Sequence, residues 1–315
     1  MKTNLSTRIA TVFLLFAIMI AGCATGLKGI FDDDVIHKRK HTTPGDPGRT
    51  EIVIIDITDR DIKNYGRWPW GRDIQGKAVT VLNQYKAKGV YFDIFFTEAD
   101  DRWPAKDKAF RDAIDISDIP VFIPFVFVAP GGGRTALLYP VQTLDVVENA
   151  DVVDIKRDIL LSLPEFVHPS SGTGFINYFP DKRGVLREIR AVLKWRGSCY
   201  PFMGVTIAAY YFGVPVDKIV LKGNVMDFGS KKLVLTKSLG IRPEFGQPFT
   251  QFKHYSYTEL FEADLESALK GRFVIMASNA TGLTNLHVTP TSNRYPGSEV
   301  HAVILDYLLN DLQEK

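Results

Sequence analysis

Apolar residues in this chain fall into short β-branched runs that alternate with stretches of helical period. Glu51-Ile-Val-Ile-Ile-Asp-Ile-Thr58 is a nearly continuous apolar run, the pattern of a parallel strand buried on both faces. Its carboxyl end turns polar at once. Thr58, Asp59 and Asp61 supply capping oxygens, and Ile62 to Tyr65 make one helical turn that Gly66 ends. Gly66-Arg-Trp-Pro-Trp-Gly-Arg-Asp73 then sets two indoles on a stiff backbone. Asp73 caps a helix in which Ala78, Val81, Leu82 and Tyr85 recur at helical spacing until Gly89, and Gly89-Val-Tyr-Phe-Asp-Ile-Phe-Phe96 is the next strand. The connection suits a right-handed crossover, so the two strands are expected to lie parallel and close together in one sheet.

Downstream, Lys106 to Ile114 reads as a short helix and Pro120 to Val128 as a third strand, in which Pro124 argues for an edge or a bulge. Pro130-Gly-Gly-Gly-Arg134 lacks the lysine and Ser/Thr of a phosphate loop. Residues 135–170 read as an insertion of short irregular elements. Gly174 to Phe179, a turn ending at Gly184, and Val185 to Trp195 predict a hairpin. A small-residue helix over Tyr200 to Phe212 follows, then a second hairpin from Lys218 to Leu235 turning at Gly229. A helix from Tyr257 to Leu269, a buried strand from Arg272 to Ala277 and a terminal helix from Val300 to Leu312 complete the pattern. The fold class expected is α/β, with a mixed, largely parallel central sheet flanked by helices and antiparallel hairpin insertions.

Composition changes this picture little. A net charge of +2, with Lys and Arg scattered, gives no footprint for nucleic acid. The amino terminus adds more. Lys2 and Arg8 precede an apolar run that ends in Ile20-Ala-Gly-Cys23, similar to a bacterial lipoprotein signal with Cys23 as the lipidated residue. The 19 uncharged residues from Ile9 to Leu27 fit a signal anchor as well. Either way the remainder is expected to be exported, with residues 1–22 as signal or anchor, 23–50 as tether and 51–312 as the folded domain. Cys199 then has no partner for an internal disulfide, and a small buried thiol is the expectation.

Ligands of open parallel sheets collect beyond the carboxyl ends of the strands. Three such ends are polar here: Asp56 with Asp59 and Asp61, Asp93 with Glu98 and Asp100, and Ser278-Asn279-Ala-Thr281-Gly282. Asp56 and Asp93 each sit inside an apolar run and need a partner to offset desolvation. Arg67, Arg72 or an indole N–H of Trp68 or Trp70 is the expected structural partner. The alternative is a cation held by Asp56 and Asp93, for which oxygen ligands favour magnesium or calcium over zinc. Around Pro69 one indole can pack inward while the other faces a pocket, although packing alone also accounts for both. Asn279 and Thr281 offer N–H groups for an anion at the start of a short helix, or an ordinary cap. His287 and His301 lack a second histidine or cysteine at ligand spacing and read as structural.

The order of these motifs resembles the type-two CHASE sensory domains, the cyclase/histidine-kinase-associated sensing extracellular domains. The resemblance rests on the strand with Asp56, Gly66-Arg-Trp-Pro-Trp-Gly-Arg72 and Val90-Tyr-Phe-Asp-Ile-Phe-Phe96. It continues in Gly174-Phe-Ile-Asn177, Asp181 to Arg187, Leu269 to Ile275, Thr289-Pro290 and Tyr295-Pro-Gly-Ser-Glu-Val-His-Ala302, and so runs from about Gly29 to Leu309. It implies an input module outside the cytoplasm, generally joined through membrane helices to a cyclase or kinase. No cyclase, kinase or phosphoacceptor pattern follows the terminal helix here, a departure from the usual architecture. A free-standing anchored sensor and an input half whose effector lies elsewhere are the two readings.

The function expected is therefore an extracytoplasmic sensory or ligand-binding domain without catalysis of its own. Its candidate site residues are Asp56, Asp59, Arg67, Trp68, Trp70, Arg72, Asp93, Asn279 and Thr281. The partners expected are a small-molecule or protein signal, the membrane, and a cyclase or kinase effector; no cofactor is implied. Two alternatives from other classes are a metal-assisted hydrolase using Asp56, Asp59 and Asp93, and an envelope protein that docks partners through the aromatic loop.

Overall fold

The computed structural model describes residues 51–100, 103–134, 139–168, 171–310 and 312–314. The segments expected to be a signal or anchor and a tether, residues 1–50 with Cys23, lie outside the described residues. In chain order the first half gives β1 (Ile52–Ile57), α1 (Asp59–Tyr65), α2 (Arg72–Gln84), β2 (Gly89–Phe92), α3 (Pro104–Asp115) and β3 (Val121–Phe122). The second half adds α4 (Met203–Tyr211), β4 (Lys253–Ser256), α5 (Tyr257–Glu262), α6 (Glu266–Leu269), β5 (Phe273–Ser278) and α7 (Gly297–Asn310).

The five strands form one wholly parallel sheet in the order β4-β1-β5-β2-β3. β1 and β2 thus share a sheet as expected, but β5 lies between them. Every residue of β1 is buried, which its near-continuous apolar run foreshadows. Alternation then divides the sheet between two cores. Val53, Ile55, Val90, Phe92, Val274 and Met276 face α2, α3 and α5. Ile52, Ile54, Tyr91, Phe273, Ile275 and Ala277 face α4 and α7. α2 and α3 pack closely because Gly76 has no side chain, since a Cβ there would lie 2.9 Å from the Ala109 carbonyl oxygen.

The remaining strands lie in a second region and pair antiparallel, except Val146–Glu148, which runs parallel to Val220–Lys222. Pro124 divides the expected third strand into β3, at the edge of the parallel sheet, and Phe125–Val128, which pairs with Asp158–Leu161. The expected hairpin over 174–195 is replaced. Asp181 and Gly184 make the predicted turn, with Gly184 at φ 76°, but among the described residues no ladder joins its arms. The hairpin actually made is Val192–Trp195 with Ser198–Pro201, turning at Arg196 and Gly197, both of positive φ. Likewise 218–235 is a three-stranded meander, Val220–Lys222, Val225–Asp227 and Lys231–Val234, because Gly223 supplies a turn as well as Gly229.

α7 is buried on nearly all sides. Ala302 and Leu305 pack on the parallel sheet, whereas Val300, Val303, Ile304 and Leu308 enter the core of the antiparallel region. A helix apolar all round its circumference belongs between two layers, and α7 joins the two. Among the described residues no helix is long and apolar enough to cross a membrane.

Candidate functional site

Two constructions lie at the carboxyl ends of the parallel strands, one on each face of the sheet. On the α2 and α3 face, the loop Trp68–Arg72 and the segment after β2, Ile94–Asp100, enclose an open cleft of about 680 Å³ with Trp103 and Lys106. That volume lies within the range of small-ligand sites. The two indoles divide the work that the proline between them permits. Trp70 is buried, donates from Nε1 to the Gly66 carbonyl at 2.8 Å and packs edge-on against Tyr65 and Tyr257. Trp68 is half-buried and meets Trp70 at 78° with ring centres 5.2 Å apart. Trp103 is 60 % exposed.

Arg72 holds this cleft together. Its Nη1 lies 2.7 Å from Asp107 Oδ1, its Nη2 donates to the Glu98 carbonyl, and its guanidinium covers the rings of Phe166 and Phe96 at 5.2 and 5.9 Å. Asp107 accepts in addition the Asp100 amide at 2.8 Å. One ion pair therefore fixes the loop after β2 to α2 and α3.

On the opposite face, Asp56 of β1 and Asp93 after β2 point toward α7. Asp56 Oδ2 lies 2.6 Å from His254 Nδ1, and His254 Nε2 lies 3.0 Å from Glu299 Oε1. The Phe249 amide also donates to Glu299 Oε1, at 2.6 Å. Burial pulls the His254 pKa down, but the hydrogen bonds and charges of Asp56 and Glu299 outweigh it and raise the value to about 9. With both ring nitrogens engaged by carboxylates, the imidazolium serves as a bridge and has no lone pair for general-base work. Asp93 lies beside His301, Oδ1 to Nε2 at 3.5 Å, and His301 Nε2 is 3.2 Å from the Tyr91 hydroxyl. Phe202 stacks on the His301 ring. His287 touches Tyr178 edge-on, and burial together with neighbouring His301 lowers its pKa to about 4 against the opposing charge of Asp93, so it is neutral at pH 7.

The family of this chain follows from its sequence as a whole. The family model described as the CHASE2 domain matches residues 10–315. The chain belongs to the CHASE2 family. CHASE2 domains are extracellular sensory domains of signal-transduction proteins. Comparison with curated proteins and with solved structures gave no match.

Within this CHASE2 domain the sequence candidates separate into three places. Trp68, Trp70 and Arg72 line the cleft, and Arg67 is exposed beside it. Asp56 and Asp93 lie on the other face with β5 between their strands, two strand spacings or about 10 Å apart. Their partners are histidines, where the sequence pointed to arginines or indoles. Asp59 accepts hydrogen bonds from Thr281 N and Oγ1 at 2.9 and 2.8 Å, which hold its carboxyl below the usual carboxylate range. The Thr281 amide is thus engaged with an internal carboxylate, and residues 280–283 form a turn where a short helix was expected. Asn279 donates its amide to Ile57 O at 2.9 Å. Among the described residues no three His, Cys, Asp or Glu side chains are grouped to hold a metal ion. Cys199 is a free buried thiol whose pKa burial raises.

Sequence reasoning missed His254 and Glu299. Glu299 stands in the motif Tyr295–Ala302, and a carboxylate in the first turn of an otherwise apolar helix is a signal in itself. His254 carries no such mark, because Lys253-His-Tyr-Ser256 reads as an ordinary exposed edge. The asymmetry is that Asp56 announces a need for a partner while the partner announces nothing.

Proposed function

We propose that this chain is an exported sensory input domain that binds a ligand in the Trp68–Asp100 cleft and passes the event to α7 without catalysing a reaction of its own. One observation carries this reading. Asp93 and Ile94 are consecutive residues at the end of β2, yet Asp93 reaches His301 on α7 while Ile94 lines the cleft. Any shift of the segment Ile94–Asp100 on binding therefore bears directly on the residue that contacts the first turns of the terminal helix. α7 is also the element that joins the two layers, so its movement alters both. The domain is held at the membrane through lipidated Cys23 or an amino-terminal helix, and a cyclase or kinase effector receives the signal.

The test needs no known ligand. In the full-length chain, Ala99→Cys places a reactive thiol at an exposed position on the cleft wall, and alkylation with a bulky maleimide fills it. Amide hydrogen exchange over residues 297–310 is expected to change on alkylation, and the same reaction at an exposed site remote from the cleft is expected to leave it unchanged. Unaltered exchange in α7 after complete labelling overturns the coupling.

A further inference from the structure

We infer that the cleft recognises an uncharged saccharide, held by the C–H face of a pyranose ring; the inference rests on the cleft being the sensory site. Three of the chain's four tryptophans, Trp68, Trp70 and Trp103, line this one cleft together with Phe95. Trp70 is buried and serves the core, but Trp103 is 60 % and Phe95 38 % exposed, so two large rings keep much of their surface in solvent within a concave wall. Covering such rings is favourable, and flat apolar groups cover them best. Trp103 is also held in place: its amide donates to Asp100 Oδ1 at 3.2 Å, and Lys106 Nζ lies 5.7 Å over its ring. A positioned ring loses little freedom when a ligand stacks on it.

The charged side chains on the same wall balance, Glu98 and Asp100 against Arg72 and Lys106. Arg72 is paired with Asp107 at 2.7 Å, Lys106 lies 3.7 Å from Asp73, and Arg67 stands exposed beside the cleft. Balanced charge favours neither a cation nor an anion, whereas a hydroxyl, donor and acceptor at once, uses groups of both signs. Independently of the rings and the charges, the wall holds a donor without a partner. Gln75 is 1 % exposed, its Oε1 accepts the Tyr257 hydroxyl at 2.5 Å, and among the described residues its Nε2 meets no acceptor. Reversing the amide leaves Oε1 unmatched instead and deprives the tyrosine proton of its acceptor. A sugar oxygen meets this need, and neither an ammonium group nor a hydrocarbon does. A pyranose with equatorial substituents combines the two requirements, a flat C–H face for the rings and a rim of hydroxyls for the polar groups.

The probes are cellotriose and triacetylchitotriose, whose ring substituents are equatorial, measured on the full-length chain by calorimetry and saturation-transfer NMR. At least one is expected to bind saturably, with transfer strongest to its axial ring protons. Trp103→Ala is expected to weaken binding about tenfold and Phe95→Ala several-fold, and because both side chains are exposed the unfolding midpoint is expected to hold. Raising the salt from about 0.05 to 0.5 M is expected to leave the affinity within about twofold, as for an uncharged ligand. A trimer that binds like its monomer marks a free sugar as the source, and one that binds at least about tenfold more tightly marks a polymer; both support the class. Binding of neither trimer overturns the inference, as does binding that Trp103→Ala leaves unchanged. Tighter binding of choline, succinate or L-phenylalanine, which stand for a cation, an anion and a zwitterion, overturns it as well. The two readings fail separately. If neither sugar binds but alkylation of the Ala99→Cys variant still alters exchange in α7, the saccharide falls and the sensor stands. If a sugar binds and α7 does not respond, the saccharide stands and the coupling falls.

Discussion

His254 Nε2 lies 3.0 Å from Glu299 Oε1 while its Nδ1 lies 2.6 Å from Asp56 Oδ2, so one imidazolium on the edge strand β4 ties the neighbouring strand β1 to the first turn of α7. Its pKa, about 9, stands above the ordinary value of 6.5, so its contribution to stability is complete below pH 6.5 and is lost as pH rises through 9. Urea unfolding of the native chain and of His254→Gln at pH 6.0, 7.5 and 9.5 isolates this effect from other titrating groups. The stability difference between the two is expected to shrink by about 3 kcal/mol from the lowest to the highest pH. A difference that stays constant with pH would mean that the bridge is uncharged.

Asp61, fully buried, carries more of the fold than the exposed Asp59 beside it. Its Oδ2 accepts from Thr58 N and Oγ1 at 2.7 and 2.6 Å, and its Oδ1 from Thr258 N and Oγ1 at 2.8 and 2.6 Å. One carboxylate therefore caps α1 and clamps it to the start of α5. Asp61→Ala leaves buried donors without acceptors and is expected to cost about 3 kcal/mol or more. Asp59→Ala, in solvent, is expected to leave the unfolding midpoint nearly unchanged. Equal effects of the two in chemical denaturation would refute the clamp.

Arg72→Lys tests whether the cleft wall depends on a planar donor. Lysine keeps the charge near Asp107 but cannot also reach the Glu98 carbonyl while covering Phe96 and Phe166. A loss of about 1–2 kcal/mol in stability is expected. Faster amide exchange over Ile94–Asp100 is expected with it, while exchange in β1 holds. Identical exchange in the cleft segment would show that the loop is held by something other than the arginine.

Much of this architecture is legible from local pattern. The burial of β1 follows from Ile52 to Ile57 alone, the end of α1 from Gly66, and the break at Pro124 from a missing amide donor. Pairing was less legible. Val192 to Trp195 has the alternation of a hairpin arm, but the Arg196–Gly197 turn outcompetes the one at Gly184 for its partner. That Trp68 and Trp70 could divide between core and pocket was one of two readings the proline allowed, and which indole is the buried one was not legible. The partners of Asp56 and Arg72 were not legible either, because His254 is 198 residues from the first and Asp107 belongs to a helix whose direction sequence does not give. Local chemistry fixes what a buried charge requires, and topology decides which residue meets the requirement.

The placement of β1 has a consequence for how the protein is made. This strand leaves the ribosome before every other part of the sheet, yet its two neighbours are β4 and β5, with Val53 paired to Lys253 and Ile52 to Phe273. A chain delivered amino end first must keep its most apolar strand without a hydrogen-bonded partner until nearly all of the remainder has emerged. Such late, long-range pairing is slow and exposes a sticky edge in the meantime. A truncation that stops before Phe273 removes the centre of the sheet from a protein whose amino-terminal half is complete.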